Sequence, residues 1–372
     1  MVPQVDALLK ARSAAIVGGQ ETEFLKTVDP ANAKLVARQR QVFANLQKLG
    51  VRQVGFQRET EYVAEEKPES GQGAQAFRVR MLIQLTGIDA AARATPLGYT
   101  FAERGGQVVL VSDDDLAQEA DRGTYREPWD LGPIEVVRRP GLLIVVPSQE
   151  RANGVRLANE AAAALPAVRA ATRRAQSGIL VVALADKRSM SPEWQTGGHP
   201  AGAVATPNLA PSKADETILE VVGSRVVINP TERKTAGRLL LAHEFTHVVM
   251  APLGNAAPTW MVEGLAEYVE RRLAEQEGDD RPAKKRAELR RTVIPELTVL
   301  PIDGTFHGDY GDESYGVSWL IIEHLATTHG LPKVIALYTD QAKGPDTPAH
   351  RDQLLQKHLS QTEPQLLTAL KK

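Results

Sequence analysis

His243-Glu244-Phe245-Thr246-His247 lies inside an otherwise apolar run, between Leu239-Leu240-Leu241-Ala242 and Val248-Val249-Met250. In a helix, residues four apart share one face. The two imidazoles therefore stack, with Glu244 beside them. An apolar helix accepts two histidines and a carboxylate only if they find partners, because burying an unpaired polar group costs roughly 2–7 kcal/mol. A metal ion held between the imidazoles is one such partner, and Glu244 is then placed to take a proton from water. The bland alternative is a core helix with two satisfied histidines and one surface Glu.

The segment Pro258-Thr259-Trp260-Met261-Val262-Glu263-Gly264-Leu265-Ala266-Glu267-Tyr268 reads as a second helix. It carries two acids on one face, Glu263 and Glu267. A catalytic zinc takes three protein ligands and keeps a fourth position open, and this helix can supply the third. The chain has no cysteine. Disulfides and thiolate ligands are excluded, so any zinc is held by imidazole and carboxylate.

HEFTH followed by P-x-W-x-x-E-G-x-A-E-Y resembles the gluzincin zinc metallopeptidases, in particular the peptidase MA-like group, related to the M1 aminopeptidases and to thermolysin. The resemblance spans roughly residues 140–340 and is most specific over 243–268. It implies one Zn2+ per chain and hydrolysis of peptide bonds, in a peptide or protein substrate, by a metal-activated water. It implies His243, His247 and Glu263 as metal ligands and Glu244 as general base. It also implies Glu267 as a carboxylate that orients a ligand histidine. Fifteen residues separate His247 from Glu263, fewer than in typical M1 enzymes, and counting alone also permits Glu267 as the ligand. Downstream, GDYGDESYGVSWL over 308–320 resembles the helix whose tyrosine stabilises the oxyanion. That role falls on Tyr315, with Tyr310 as the other candidate. The G-x-M-E-N motif of the M1 enzymes does not occur, which points away from an aminopeptidase. The competing reading is a catalytically inactive, metallopeptidase-like binding or adaptor protein.

The first third has a different pattern. Residues 6–17 and 30–49 show helical spacing. Residues 51–64, 76–85, 94–103 and 107–111 read as extended, with Arg104-Gly105-Gly106 as a turn. Helices followed by an antiparallel meander indicate an α+β layer in which helices pack on one curved sheet. This resembles the NTF2-like or cystatin-like fold. The expected division is 1–133 for this α+β domain and 134–372 for a gluzincin-type domain, a small sheet followed by a mostly helical C-terminal half. The expected helix over 149–176 is broken at Pro166. Residues 224–229 are the candidate for the edge strand that binds the substrate backbone in such enzymes, with an ordinary core strand as the equal alternative. His307 and His199 lie in glycine-containing loops that could reach a cleft, but a surface or structural role explains them better. Asp113-Asp114-Asp115 does not match a calcium loop and reads as a solvated turn.

The formal net charge is −2, which gives no reason to expect a nucleic-acid partner. No run of eighteen apolar residues occurs, so no membrane span is expected. The N-terminal residues lack the basic region and apolar core of a signal peptide. The family resemblance nevertheless implies an extracytoplasmic or secreted bacterial location, with the cytoplasm as the alternative.

Overall fold

The computed structural model describes residues 1–59, 73–113, 127–174, 178–190, 201–212, 219–254, 256–308, 311–345 and 347–372. The chain forms two compact units. One comprises Met1–Ala158, Ser177–Gln195 and Thr206–Lys234; the other comprises Asn159–Gln176, Thr196–Ala205 and Thr235–Lys372. The fold class is α+β.

The first unit opens with helices α1 (Val2–Val17), α2 (Glu21–Leu25) and α3 (Ala33–Leu49). Asn32 caps α3 by accepting the Leu35 N–H at 3.1 Å. Gly50, at φ 66°, ends it in the left-handed conformation that glycine adopts without strain. Strands β1 (Val51–Arg58), β2 (Gln75–Leu85), β3 (Arg93–Arg104) and β4 (Gln107–Ser112) follow as an antiparallel meander in sequence order. Gly105 and Gly106 both have positive φ, as a two-residue hairpin turn of this hand requires. The helices cover one face of the sheet: Val5, Leu9 and Leu35 pack against Phe77, Val79, Tyr99, Phe101 and Leu110.

A second sheet contains β5 (Ile134–Arg139), β6 (Leu142–Pro147), β7 (Ile179–Val182), β8 (Ala203–Pro211) and β9 (Leu219–Ile228), in the order β5-β6-β7-β9-β8. β5 pairs antiparallel with β6, and β6, β7 and β9 run parallel. Helix α4 (Arg151–Thr172) connects β6 to β7 and continues through Pro166, where a break was expected. The edge-strand expectation for 224–229 is also corrected. β9 lies between β7 and β8, with Val226, Val227 and Ile228 all buried, the mark of an interior strand covered on both faces. The edge strands are β5 and, beside β9, β8. β8 contains Pro207 and Pro211, which cannot donate to a ladder and are confined to edges.

The two sheets of this unit are tied by a buried ionic network. Glu127 accepts from Arg93 of β3 at 3.2 and 3.1 Å, from Arg225 of β9 at 2.7 Å and from Thr95 at 3.2 Å. Trp129 packs against the Arg93 guanidinium, 5.1 Å from its ring centroid. All three charged side chains are at most 6% exposed.

The second unit is mostly helical: α5 (Arg238–Met250), α6 (Thr259–Gln276), α7 (Arg281–Thr292), α8 (Gly311–His329), α9 (Leu331–Gln341), α10 (Pro348–Leu359) and α11 (Glu363–Leu370). Among the described residues, no helix is long and apolar enough to cross a membrane.

Glu127→Gln neutralises the carboxylate that accepts from both Arg93 and Arg225 and leaves the two guanidiniums buried together. The expected loss is about 3–5 kcal/mol, read by urea unfolding followed through tryptophan fluorescence. A loss under about 1 kcal/mol would show that the network does not hold the sheets together.

Candidate metal centre

Helix α5 is positioned by its N-terminus. Glu160 accepts the Arg238 backbone N–H at 3.0 Å and the same residue's Nε at 3.2 Å, placing negative charge at the positive end of the helix. Leu241, Ala242, Phe245 and Val248 are buried, and so are His243 and Glu244, at 9% and 5% exposure. Helix α6 begins where Asp303 accepts the Thr259 N–H at 2.9 Å. Gly264 of α6 has a steric reason to be glycine. A β-carbon there would stand 2.5 Å from the Ser318 carbonyl oxygen of α8. The glycine next to Glu263 thus lets α8 approach, and Tyr315 lies one turn before Ser318.

His243 Nε2 and His247 Nε2 both lie 3.3 Å from the same oxygen, Glu263 Oε2. The rings are 4.9 Å apart at 72°, and the three donor atoms fall within 4.8 Å of one another. A direct ionic hydrogen bond would be shorter, about 2.7–2.9 Å. Tetrahedral zinc with bonds of about 2.0–2.1 Å holds its ligand atoms about 3.3 Å apart. Two imidazole nitrogens, each at that spacing from one carboxylate oxygen, form a donor set that fits zinc. Glu267, the other acid that counting permits, does not approach both Nε2 atoms in this way.

The far side of His243 faces two more carboxylates. Nδ1 lies 3.2 Å from Glu270 Oε2 and 3.8 Å from Glu267 Oε1. With Nδ1–H donating to Glu270, Nε2 presents its lone pair to the metal position, the usual arrangement for a ligating histidine. Glu267 also bonds to Arg271, whose guanidinium stacks 4.6 Å from the Trp319 ring. Sequence reasoning picked Glu267 for the orienting role and missed Glu270. The signal was present: Glu263, Glu267 and Glu270 follow the i, i+4, i+7 rule of one helix face.

Burial and the acids around them set the charges. Burial alone would lower the His243 pKa, but hydrogen bonds to Glu263 and Glu270 and the charges of Glu244 and Glu263 raise it well above the ordinary value. Burial would raise Glu263, yet the two histidines hold it well below the usual carboxylate range. Glu244 is raised by burial and by Glu263; His243, His247 and a hydrogen bond from the Ala205 backbone limit the shift. Ala205 belongs to the same compact unit as α5, and a backbone donor of this kind carries no sequence signal.

Tyr315 is half-buried. Burial and the charges of Glu263, Glu267 and Glu244 raise its phenol pKa, which keeps it protonated and electrostatically coupled to the site. Its hydroxyl lies 3.4 Å from His307 Nδ1, and its ring packs 5.0 Å from Phe306. Tyr310, His199, Asp114 and Asp115 lie outside the described residues; Asp113 pairs with Arg38.

No family model matches the chain, and no curated protein matches it. Among solved structures, the chain is similar to an M1 zinc metallopeptidase from Deinococcus radiodurans, with TM-score 0.43, 15% identity, and coverage of 81% of this chain and 62% of that one. It is also similar to a mutant two-domain M1 zinc metallopeptidase bound to L-tryptophan, with TM-score 0.43, 15% identity and coverage of 81% and 61%. A third is a mutant of the Deinococcus radiodurans protein bound to a Tyr-Ser-Ala substrate, with TM-score 0.42, 16% identity and coverage of 81% and 61%. The chain thus spans about three fifths of the length of these structures.

Glu270→Gln weakens the acceptor for His243 Nδ1–H. Zinc affinity, measured by competition with a chromogenic chelator, is expected to fall about 10–100-fold. An unchanged affinity would remove Glu270 from the support of the metal.

Proposed function

We propose that this chain is a zinc-dependent metallopeptidase that hydrolyses peptide bonds in a peptide or protein substrate. The observation that carries this reading is the convergence of His243 Nε2 and His247 Nε2 on Glu263 Oε2 at 3.3 Å, with buried Glu244 on the same helix. His243, His247 and Glu263 would hold one zinc, and Glu270 and Glu267 would orient His243. On this reading residues 134–372 form the catalytic domain, and 1–133 form an accessory NTF2-like or cystatin-like domain.

Bound zinc supplies Lewis acidity, which lowers the pKa of water and polarises a carbonyl. Glu244 takes the proton from the attacking water. Its raised pKa favours this role, because a base works best when its pKa lies nearer the working pH. The carboxyl group then returns the proton to the departing amine. The neutral Tyr315 phenol donates a hydrogen bond to the carbonyl oxygen as charge grows there, an interaction stronger in the transition state than in the ground state.

Incubation of the zinc-loaded protein with a defined peptide library, read by mass spectrometry, tests this reading. Wild type is expected to cleave internal bonds. Glu244→Gln should retain zinc and lose about 10²–10⁴-fold in rate, and Tyr315→Phe should lose about 10²–10³-fold. Cleavage by Glu244→Gln at the wild-type rate would end the assignment of the base. Retention of zinc with no cleavage by wild type would favour a binding or adaptor protein.

A further inference from the structure

The loop between α7 and α8 carries a histidine that the proposed reaction leaves unused. His307 Nδ1 lies 3.4 Å from the Tyr315 hydroxyl. Three features fix this pair. Asp303, in the same loop, accepts the Thr259 N–H at 2.9 Å and so ties the loop to the start of α6, the helix of Glu263. The Gly308 N–H donates to the Thr305 carbonyl at 3.1 Å, and the Gly311 N–H donates to the Gly308 carbonyl at 2.9 Å, which turns the chain into α8. The Phe306 side chain is fully buried. Its ring meets His307 at 5.2 Å and 67° and Tyr315 at 5.0 Å and 70°, the edge-to-face arrangement that aromatic rings prefer. Phe306 thus stands against both rings at once, while His307 itself is exposed. All of these residues belong to the same compact unit as the metal centre.

A phenol has one proton to give and an oxygen that also accepts. Where the phenol stabilises an oxyanion, the two have separate duties. The proton points at the carbonyl oxygen of the substrate, so the neighbour at 3.4 Å serves the reaction only by giving a hydrogen bond. An accepting Nδ1 would turn the phenol proton away from the substrate. Imidazole can do either, since its neutral form carries one N–H on either nitrogen. The surroundings favour the donor. Glu263, Glu267 and Glu244 place negative potential on Tyr315. That potential favours an N–H, the positive end of a dipole, over a bare lone pair on the ring nitrogen that faces it. A donor to the phenol oxygen also strengthens the phenol as a donor in turn, because hydrogen bonds in a chain polarise one another.

We propose that His307 is a positioning residue: its Nδ1–H donates to the Tyr315 oxygen and holds the phenol proton toward the substrate carbonyl. The imidazole does not touch the reacting atoms and acts through Tyr315. The 3.4 Å separation is long for such a bond, and bonds of this kind tighten when substrate fills a site. This role rests on the reading of Tyr315 as the oxyanion donor of a peptidase.

Two measurements test it, and the first needs no catalysis. Nitrogen-15 NMR of the full chain with labelled histidine, assigned with His307→Ala, identifies which nitrogen of neutral His307 carries the proton. The expected result is a proton on Nδ1 in wild type and a shift toward the Nε2–H form in Tyr315→Phe. An Nε2–H imidazole in wild type, or a His307 signal that Tyr315→Phe leaves unchanged, would overturn the proposal. The second is a double-mutant cycle on the zinc-loaded protein with a peptide that wild type cleaves. His307→Ala is expected to lower kcat about 3–10-fold with KM unchanged, the worth of one neutral hydrogen bond. His307→Asn, whose amide N–H can stand where Nδ1–H does, should recover most of that loss. In the Tyr315→Phe background, His307→Ala should change kcat by less than about twofold. Full activity of His307→Ala, or an equal loss in both backgrounds, would overturn the proposal, the latter because His307 would then support the loop without acting through Tyr315. If wild type cleaves no peptide, the peptidase reading fails and the NMR result still decides the His307 contact.

Discussion

One carboxylate oxygen, Glu263 Oε2, stands 3.3 Å from two imidazole nitrogens on the neighbouring helix, and the rest of the helical unit serves to hold it there. That spacing is longer than a strong ionic hydrogen bond and matches the separation of two ligand atoms on one tetrahedral ion. Keeping it requires α5 and α6 to meet at a set height and rotation. Glu160 fixes the start of α5, and Asp303 fixes the start of α6. Gly264 allows α8 to pack against α6 at a distance no side chain would permit. Behind the first imidazole, Glu270 and Glu267 face Nδ1, and Glu267 in turn bonds to Arg271, which stacks on Trp319.

The chain handles its buried charges in three ways. At the metal centre, acids and histidines are crowded so that a cation is the natural complement. At Glu127, one carboxylate serves two arginines and joins β3 to β9. That network gives a physical reason for the second sheet to belong to the same compact unit as the first. At Arg12 the cation meets hydroxyl, amide and aromatic rings but no adjacent anion. The first two arrangements close within the chain or around one ion. The third meets only neutral hydrogen-bond acceptors in direct contact, Thr27 and Gln39.

Much of the candidate site's geometry was legible because helical periodicity is simple. His243 and His247 are four apart, as are Glu263 and Glu267, and both pairs lie where a 3.6-residue turn places them. The α3 helix and the β1–β4 meander were legible for similar reasons, from apolar spacing, alternation and the Gly105-Gly106 turn. The misses have specific causes. Residues 224–229 could be read as edge or core because an apolar run looks like a strand wherever it pairs; the prolines at 207 and 211, which exclude an interior position, mark β8 as the strand outside it. The break expected at Pro166 did not occur, since propensity is a weak prior inside a well-packed helix. Glu270 was passed over because the motif ended before it. The Ala205 amide and the Glu127 network join residues far apart in the chain, and no local pattern encodes such a meeting.

The central claim is that two histidines and Glu263 hold one zinc and leave a position open to water. Anomalous diffraction at the zinc edge, on crystals of the zinc-loaded protein, tests it most directly. The account predicts a single peak, bonded to Nε2 of His243, Nε2 of His247 and the Glu263 carboxylate, with a fourth position that no protein atom fills. No peak, a peak elsewhere, or a fourth bond from Glu267 or Glu270 that closes the ion off would contradict it.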